Sequence, residues 1–118
     1  MIKVSVVLSK EGVIENLRAE GHAGFALKGS DIVCSAFTVL LRTFARSVEA
    51  CPGVIWTVKD NTSGRFQMAI SGVVLESAEH YRGWCEFLLR GLEDLAGDEP
   101  SRVRIDYGSD SRRLFHGS

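Results

Sequence analysis

At 118 residues the chain is expected to form one domain, large enough to bury a core without disulfides or metals. Its composition, with 45% hydrophobic and 25% charged residues, is that of an ordinary soluble globular protein. The formal net charge of −1 gives no support for direct nucleic-acid binding, which usually shows a basic patch. Its apolar runs are too short to span a bilayer, and no signal-peptide pattern opens the sequence. We therefore expect a cytoplasmic protein with no membrane partner.

The first twenty residues predict a β-hairpin. Apolar residues stand at every second position over 2–8, which is the period of a half-buried strand. Residues 10–12 favour a turn. Residues 13–20 then predict a second, antiparallel strand with Val13, Leu17 and Ala19 on one face.

From residue 30 the apolar period becomes helical. The pattern predicts a helix that Pro52 and Gly53 end, with Ser30 or Asp31 as its N-cap. The apolar residues at helical spacing are Ile32, Val33, Ala36, Phe37, Leu40, Leu41, Phe44 and Val48.

The second half of the chain predicts two more strands, a helix and a last strand. Residues 54–59 and 65–71 are the strands, joined by the turn-rich 60–64. A helix follows over 77–95, and 102–107 form the last strand. The buried pairing is expected between Trp56 and Val58 on one strand and Phe66, Met68 and Ile70 on the other. The apolar stripe of the helix is Ala78, Tyr81, Cys85, Leu88, Leu92 and Leu95.

The element order is therefore ββαββαβ. Hairpins dominate this order, so we expect an α+β fold with a largely antiparallel sheet and two packed helices. The stripe of the second helix is better explained by docking on the sheet than by a subunit seam, although a homodimer through other surfaces stays open. Residues 1–107 form the single predicted domain, and the polar 108–118 form a loose tail.

The three cysteines, Cys34, Cys51 and Cys85, differ in their surroundings. Their wide spacing makes neither a disulfide framework nor a zinc site, so no metal or cofactor is expected. Cys51 at the end of the first helix and Cys85 within the second are expected to be inert buried residues. Cys34 is the candidate for chemistry.

A histidine, a glycine-bearing loop and Cys34 stand together at the start of the first helix. The amides of a first helical turn have no intrahelical partners and carry the positive end of the helix dipole, so they favour a thiolate. If the loop folds back, His22 reaches the thiol and acts as general base or ion-pair partner. The alternative is a buried Cys34 and a structural His22.

The neighbouring residues each have two possible roles. Asp31 either caps the helix or orients His22 as the third member of a triad. Gly21, Gly24 and Gly29 either hinge a mobile loop over a substrate or only make a tight connection. Thr38 either presents its hydroxyl to the thiol or bonds the helix backbone.

The segments Gly21-His22-Ala23 and Gly29-Ser30-Asp31-Ile32-Val33-Cys34 resemble the G-H-A…G-x-D-I-V-C signature of Prp, the bacterial ribosomal-processing cysteine protease family. The resemblance extends over about residues 1–107. It implies a small cytoplasmic α+β homodimer that removes a short N-terminal extension from a large-subunit ribosomal protein precursor, cutting after an aromatic residue. It also implies that Cys34 is the nucleophile and His22 the general base, with Asp31 as the motif aspartate and the loop closing over the peptide.

The sequence departs from the family pattern after Cys34. The family commonly continues Ala-Ala/Gly-Val-Ser, whereas Ser35-Ala36-Phe37-Thr38 follows here. Thr38 keeps a hydroxyl in place of serine, and the bulkier Phe37 is expected to point to the core, with consequences for the shape of the substrate pocket.

Two other classes of function compete with the peptidase. One is a non-catalytic ribosome-assembly module that holds a peptide at a sheet edge without cutting it. The other is a thiol redox sensor centred on Cys34, for which Cys51 is too far along the helix to resolve a sulfenic acid.

Overall fold

Five strands and two helices form the fold in the computed structural model, which describes residues 1–21, 32–62 and 64–108. The opening hairpin consists of β1 and β2, and helix α1 precedes the long β3–β4 hairpin. Helix α2 and a last strand, β5, complete the chain. The bounds are β1 Ile2–Leu8, β2 Ile14–Glu20, α1 Ile32–Glu49, β3 Val54–Thr62, β4 Arg65–Val73, α2 Ala78–Asp98 and β5 Val103–Tyr107.

The strands form one sheet in the order β3-β4-β2-β1-β5. The pairs β1–β2, β2–β4 and β3–β4 are antiparallel, and only β5 runs parallel to its neighbour β1. A parallel neighbour needs a crossover connection, and here β2, α1, β3, β4 and α2 lie between β1 and β5 in the sequence. The predicted α+β class, the element order and the largely antiparallel sheet are confirmed.

The core lies between one face of the sheet and the two helices. Alternate residues of β1 are buried, while Lys3 and Ser5 between them are exposed. Phe37 of α1 is fully buried, as its position in the helical pattern predicts. The buried residues of α2 are those of its predicted stripe that lie nearest the centre: Tyr81, Cys85, Leu88 and Leu92.

The two helices run side by side in opposite directions. The Phe44 and Tyr81 rings lie 6.1 Å apart at one level of this interface. At another level, a Cβ placed on Gly91 would lie 2.9 Å from the methyl carbons of Leu40, so the missing side chain of the glycine lets the helices approach closely. One flank of α1 is therefore covered by α2.

The second strand differs from its prediction by a β-bulge. Val7 pairs with Asn16 and Leu8 with Ile14, so Glu15 is an extra residue on β2. The bulge turns Ile14, rather than Val13, onto the helix-covered face, where Ile14 is 1% exposed and Val13 only half-buried. The expectation that Val13 shares the buried face with Leu17 and Ala19 is wrong for this reason.

Helix α2 holds the bulge in place. The Tyr81 hydroxyl donates a 2.6 Å hydrogen bond to the carbonyl oxygen of Ile14, and the Ile14 amide donates to the Cys85 sulfur at 3.4 Å. Burial raises the pKa of Tyr81, so the hydroxyl keeps its proton and remains a donor. The backbone amide and carbonyl of Ile14 thus both have hydrogen-bond partners on one face of α2.

The structure also differs from the sequence prediction in the lengths of two strands and in the exposure of one residue of α1. Strands β3 and β4 extend to Thr62 and Val73, beyond the predicted 59 and 71, and a short 3₁₀ turn at Leu75–Ser77 precedes α2. Ile32 is 80% exposed because its position on the first turn of α1 points away from the sheet. The proposed caps Ser30 and Asp31 and the tail beyond Gly108 lie outside the described residues.

Replacing Tyr81 by phenylalanine is expected to lower the free energy of unfolding by about 1–3 kcal/mol, because the buried Ile14 carbonyl loses its donor. The matched control is Tyr107→Phe, whose hydroxyl bonds the exposed carboxylate of Glu93 at 2.6 Å. A smaller loss is expected there, because water can replace the hydroxyl. Urea denaturation measures both, and equal losses would contradict the role given to the Tyr81 bond.

Candidate active site

Cys34 lies in the first turn of α1 as the structure describes it, two residues after Ile32. Its side chain is half-buried and packs against the main hydrophobic core. A thiol in this position is close to backbone amides that have no acceptor within the helix, and to the positive end of the helix dipole. The thiol is thus partly exposed, and a position in the first turn of a helix is one that favours a thiolate.

Thr38 stands one helical turn after Cys34. Its hydroxyl donates a 2.8 Å hydrogen bond to the carbonyl oxygen of Cys34. Of the two roles open to Thr38 from the sequence, this bond is the backbone one, which is common for threonine in helices. This hydrogen bond holds the Thr38 side chain against the first turn of α1, and the hydroxyl proton is donated to the backbone rather than to the thiol.

Several predicted site residues lie outside the described residues. These are His22, Gly24, Gly29 and Asp31. The reach of His22 to Cys34, the choice between the two roles of Asp31 and the movement of the loop therefore stay predictions.

Gly21 is the last described residue before the segment that carries His22. Its φ of +89° is in the region that favours glycine, and a Cβ there would overlap the carbonyl oxygen of Met1. Its amide donates to the carbonyl oxygen of Gly64 at 3.0 Å. The chain thus leaves the sheet from a fixed point, held between Met1 and the β3–β4 turn.

Cys34 and Gly21 lie at the same end of the molecule. Residues 50–53 connect α1 to β3 directly, and α1 packs against β3, so the two elements run in opposite directions. Eighteen helical residues span about 27 Å and nine strand residues about 30 Å. The start of α1 therefore lies at the level of the β3–β4 turn, to which Gly21 is bonded.

The other two cysteines have different surroundings. Cys85 is 1% exposed and accepts the Ile14 amide, and burial raises the pKa of its thiol, so it is a structural residue as predicted. Cys51 is half-buried at the end of α1, where its backbone bonds Val48 and Val54. Neither stands in the first turn of a helix.

A cavity of about 290 Å³ lies at the opposite end of the sheet. The β1–β2 turn, the end of β4 and the start of α2 line it, and the Arg82 guanidinium donates to the Glu11 carbonyl oxygen nearby at 2.8 Å. Strand β2, of seven residues, separates this end from Gly21 by about 23 Å. The cavity is therefore distinct from the surroundings of Cys34.

Within the described ranges, no group of three His, Cys, Asp or Glu side chains is placed to hold a metal ion. Among those residues there is also no helix long and apolar enough to cross a membrane.

Some residues that the sequence predicts as buried on β3 and β4 are only partly buried in the structure. Trp56, Val58, Phe66 and Ile70 lie on the predicted inner face of β3 and β4, yet they are only half-buried, whereas Met68 and Val54 of this hairpin are buried. The predicted cross-strand pairs Trp56–Ile70 and Val58–Met68 are observed. The sequence signal that could have indicated this partial burial is the presence of large apolar residues on a hairpin at the edge of the sheet.

The described residues define a small α+β protein with a half-buried cysteine at the start of its first helix. The family model of the cysteine protease Prp matches residues 1–104, and the chain belongs to this family. No curated protein sequence matches it at a significant level.

Solved structures share the fold. The essential ribosomal processing protease Prp from S. aureus, in complex with a covalently linked product peptide, is 20% identical, with a TM-score of 0.74 over 92% of this chain and 100% of that chain. The same S. aureus protease in complex with a substrate peptide is 19% identical, with a TM-score of 0.72 and the same coverage. SMU.848 from Streptococcus mutans is 25% identical, with a TM-score of 0.69 over 92% of this chain and 96% of that chain.

Replacing Gly21 by alanine is expected to lower the free energy of unfolding by more than about 1 kcal/mol, because alanine is strained at this φ and its Cβ meets Met1 backbone. Gly83→Ala is the matched control. Gly83 lies on the exposed side of α2 with nothing near its would-be Cβ, so alanine there should stabilise by about 0.5–1 kcal/mol. Opposite signs in urea denaturation are the expected result, and a neutral Gly21→Ala would contradict the fixed exit point.

Proposed function

We propose that the protein is a cysteine endopeptidase that removes a short N-terminal extension from a large-subunit ribosomal protein precursor, cutting after an aromatic residue. The observation that carries the proposal is the position of Cys34, half-buried in the first turn of α1, in a chain of the Prp cysteine protease family. Further support comes from the S. aureus fold relative, a ribosomal processing protease crystallised with a substrate peptide and with a covalently linked product peptide.

Acylation is the first half of the proposed reaction. The Cys34 thiolate attacks the carbonyl carbon of the scissile bond, forming a C–S bond and moving the carbonyl electrons onto oxygen. The amides of the first turn of α1 donate to this oxyanion. The intermediate collapses to a thioester, and His22 gives its proton to the departing amine.

Deacylation restores the thiol. His22 accepts a proton from water as the water oxygen attacks the thioester carbon, and the C–S bond breaks to release the extension as a carboxylic acid. The segment that begins at Gly21, with Gly24 and Gly29 within it, closes over the peptide during both steps. Asp31 either caps α1 or orients His22.

Cys34→Ala is expected to abolish cleavage of the extended precursor, and His22→Ala to lower kcat/KM by about 10²–10⁴-fold, because the first removes the nucleophile and the second the proton carrier. Cys51→Ala is the matched control, because Cys51 lies at the far end of α1, and it should cut at the wild-type rate. Product is measured by mass spectrometry of the released extension, with urea denaturation to check the fold of each variant.

Two outcomes would decide against the peptidase. Wild-type rates in Cys34→Ala would show that another group is the nucleophile. Binding of the extension by the wild-type protein without any product, over long incubation, would favour a ribosome-assembly module that holds the peptide at a sheet edge.

The substrate itself is tested by comparing the N-terminus of the mature ribosomal protein with its encoded start.

We also propose a homodimer that works in the cytoplasm, where ribosomal proteins are made. The subunit mass is 12.9 kDa, so light scattering on the purified chain should give about twice this mass. A mass of one subunit at micromolar concentration would contradict the dimer.

A further inference from the structure

The cavity at the end of the sheet away from the β3–β4 turn lies where the two hairpins separate. Strands β2 and β4 pair with each other as far as Asn16 and Ala69. Beyond that point β2 continues beside β1 and β4 continues beside β3, and residues 13–15 and 70–73 line the cavity. The start of α2 forms a further wall. The fold thus leaves about 290 Å³ between two diverging strands and a helix.

The walls of this cavity are mostly apolar. Aliphatic side chains from β2, β4 and α2 form them: Val13, Ile70, Val73 and Ala78. Tyr81 lies beside them, and its hydroxyl is already bonded to the Ile14 carbonyl oxygen. Ligand pockets usually measure ~300–1,000 Å³, so a cavity of about 290 Å³ fits a small molecule with an apolar part.

A base and two acids also line the cavity. Arg82 is half-buried, and one of its nitrogens donates to the Glu11 carbonyl oxygen at 2.8 Å. This bond holds the guanidinium in place, and a guanidinium has four further N–H groups. Burial and the neighbouring Cys85 raise the pKa of Tyr81, and the charge of Glu15 adds to the rise, so the Glu15 carboxylate lies on the Tyr81 side of the cavity.

The charges of Arg82 and Glu15 are not used in ion pairs within the described part of the chain. The pairs found there are Arg18–Glu20, Arg65–Asp60 and Arg104–Asp106. Arg82 and Glu15 therefore line one cavity with opposite charges that do not neutralise each other by direct contact.

This set of charges favours a ligand that carries both signs. A ligand with only a carboxylate would be attracted by Arg82 and repelled by Glu11 and Glu15, and a ligand with only an ammonium group would be repelled by the guanidinium. A zwitterion avoids both repulsions, because its carboxylate accepts from the guanidinium while its ammonium group donates to a carboxylate. The apolar walls add a preference for an apolar side chain.

We propose that this cavity is a binding site for a free α-amino acid with an apolar side chain of about the size of leucine. Its carboxylate binds the N–H groups of Arg82, its ammonium group binds Glu15, and its side chain packs on the aliphatic walls. The length of β2 separates this site from Gly21 at the other end of the sheet. The proposal therefore goes beyond the peptidase function and does not depend on it.

The first test adds L-leucine to the full chain and follows the methyl signals of Val13, Ile70 and Val73 by NMR. These signals should shift and saturate, because the leucine side chain lies against them. Three probes each lack one part of the ligand: glycine has no apolar side chain, isocaproate no ammonium group and isopentylamine no carboxylate. Each should bind about tenfold or more weakly than leucine.

The second test changes the protein. Arg82→Met removes the cation but keeps an aliphatic chain, and Glu15→Gln removes the anion at nearly constant shape, so each should weaken leucine binding by about tenfold or more. Ala78→Leu fills the cavity and should abolish the saturable shifts. Arg90→Met and Glu86→Gln are the matched controls, since both residues are exposed on α2 outside the cavity, and they should bind leucine as the wild type does.

The outcomes decide for or against the site. The absence of saturable shifts with leucine at millimolar concentrations would overturn it, as would unchanged shifts in Ala78→Leu. Equal affinity for leucine and isocaproate would contradict the role given to Glu15. Arg82→Met also removes the bond to the Glu11 carbonyl oxygen, so Glu15→Gln decides if the spectrum of Arg82→Met shows an altered fold.

Discussion

The packing of two helices on a five-stranded sheet is the constraint from which the rest of the structure follows. A helix is about 10 Å across and strands are about 4.8 Å apart, so two helices cover about four strands. The central strands are fully covered, and Val4, Val6 and Leu17 are buried completely. The edge hairpin is covered less completely, so four of its inner apolar residues stay half-buried: Trp56, Val58, Phe66 and Ile70.

Two sets of contacts, each including a hydrogen bond to the backbone, hold the two ends of β2. At one end, Tyr81 and Cys85 bind the backbone of Ile14 and fix the bulge of the first hairpin under α2. At the other, the Gly21 amide bonds Gly64 while Met1 lies against Gly21, which sets where the chain leaves the sheet before His22. The first set of contacts stabilises the packing of α2 on the first hairpin, and the second fixes the backbone of Gly21 at the other end of β2.

Much of the fold was predictable because periodicity reports local structure. The element order and the buried stripe of α2 follow from it, but the bulge does not, since Val13 and Ile14 are both apolar and only the contact with Tyr81 selects Ile14. Alternation likewise shows that Val58 and Phe66 share a face, and it cannot show that no helix fully covers that face. The helical spacing from residue 30 predicted Cys34 at the helix start, whereas the contact of Gly21 with Met1 joins positions distant in sequence and leaves no periodic pattern. His22 and Asp31 lie outside the described residues, so their roles rest on the motif.

The most direct test of the central claim is to find the acyl group on Cys34. Rapid acid quench of the wild-type protein during turnover of an extended ribosomal peptide, followed by proteolysis and mass spectrometry, would locate it. We expect a mass gain equal to that of the released extension less one water, carried by the peptide that contains Cys34 and absent from those containing Cys51 and Cys85. An acyl group found on Cys51 or Cys85, or on any other residue while Cys34 stays unmodified, would contradict Cys34 as the nucleophile.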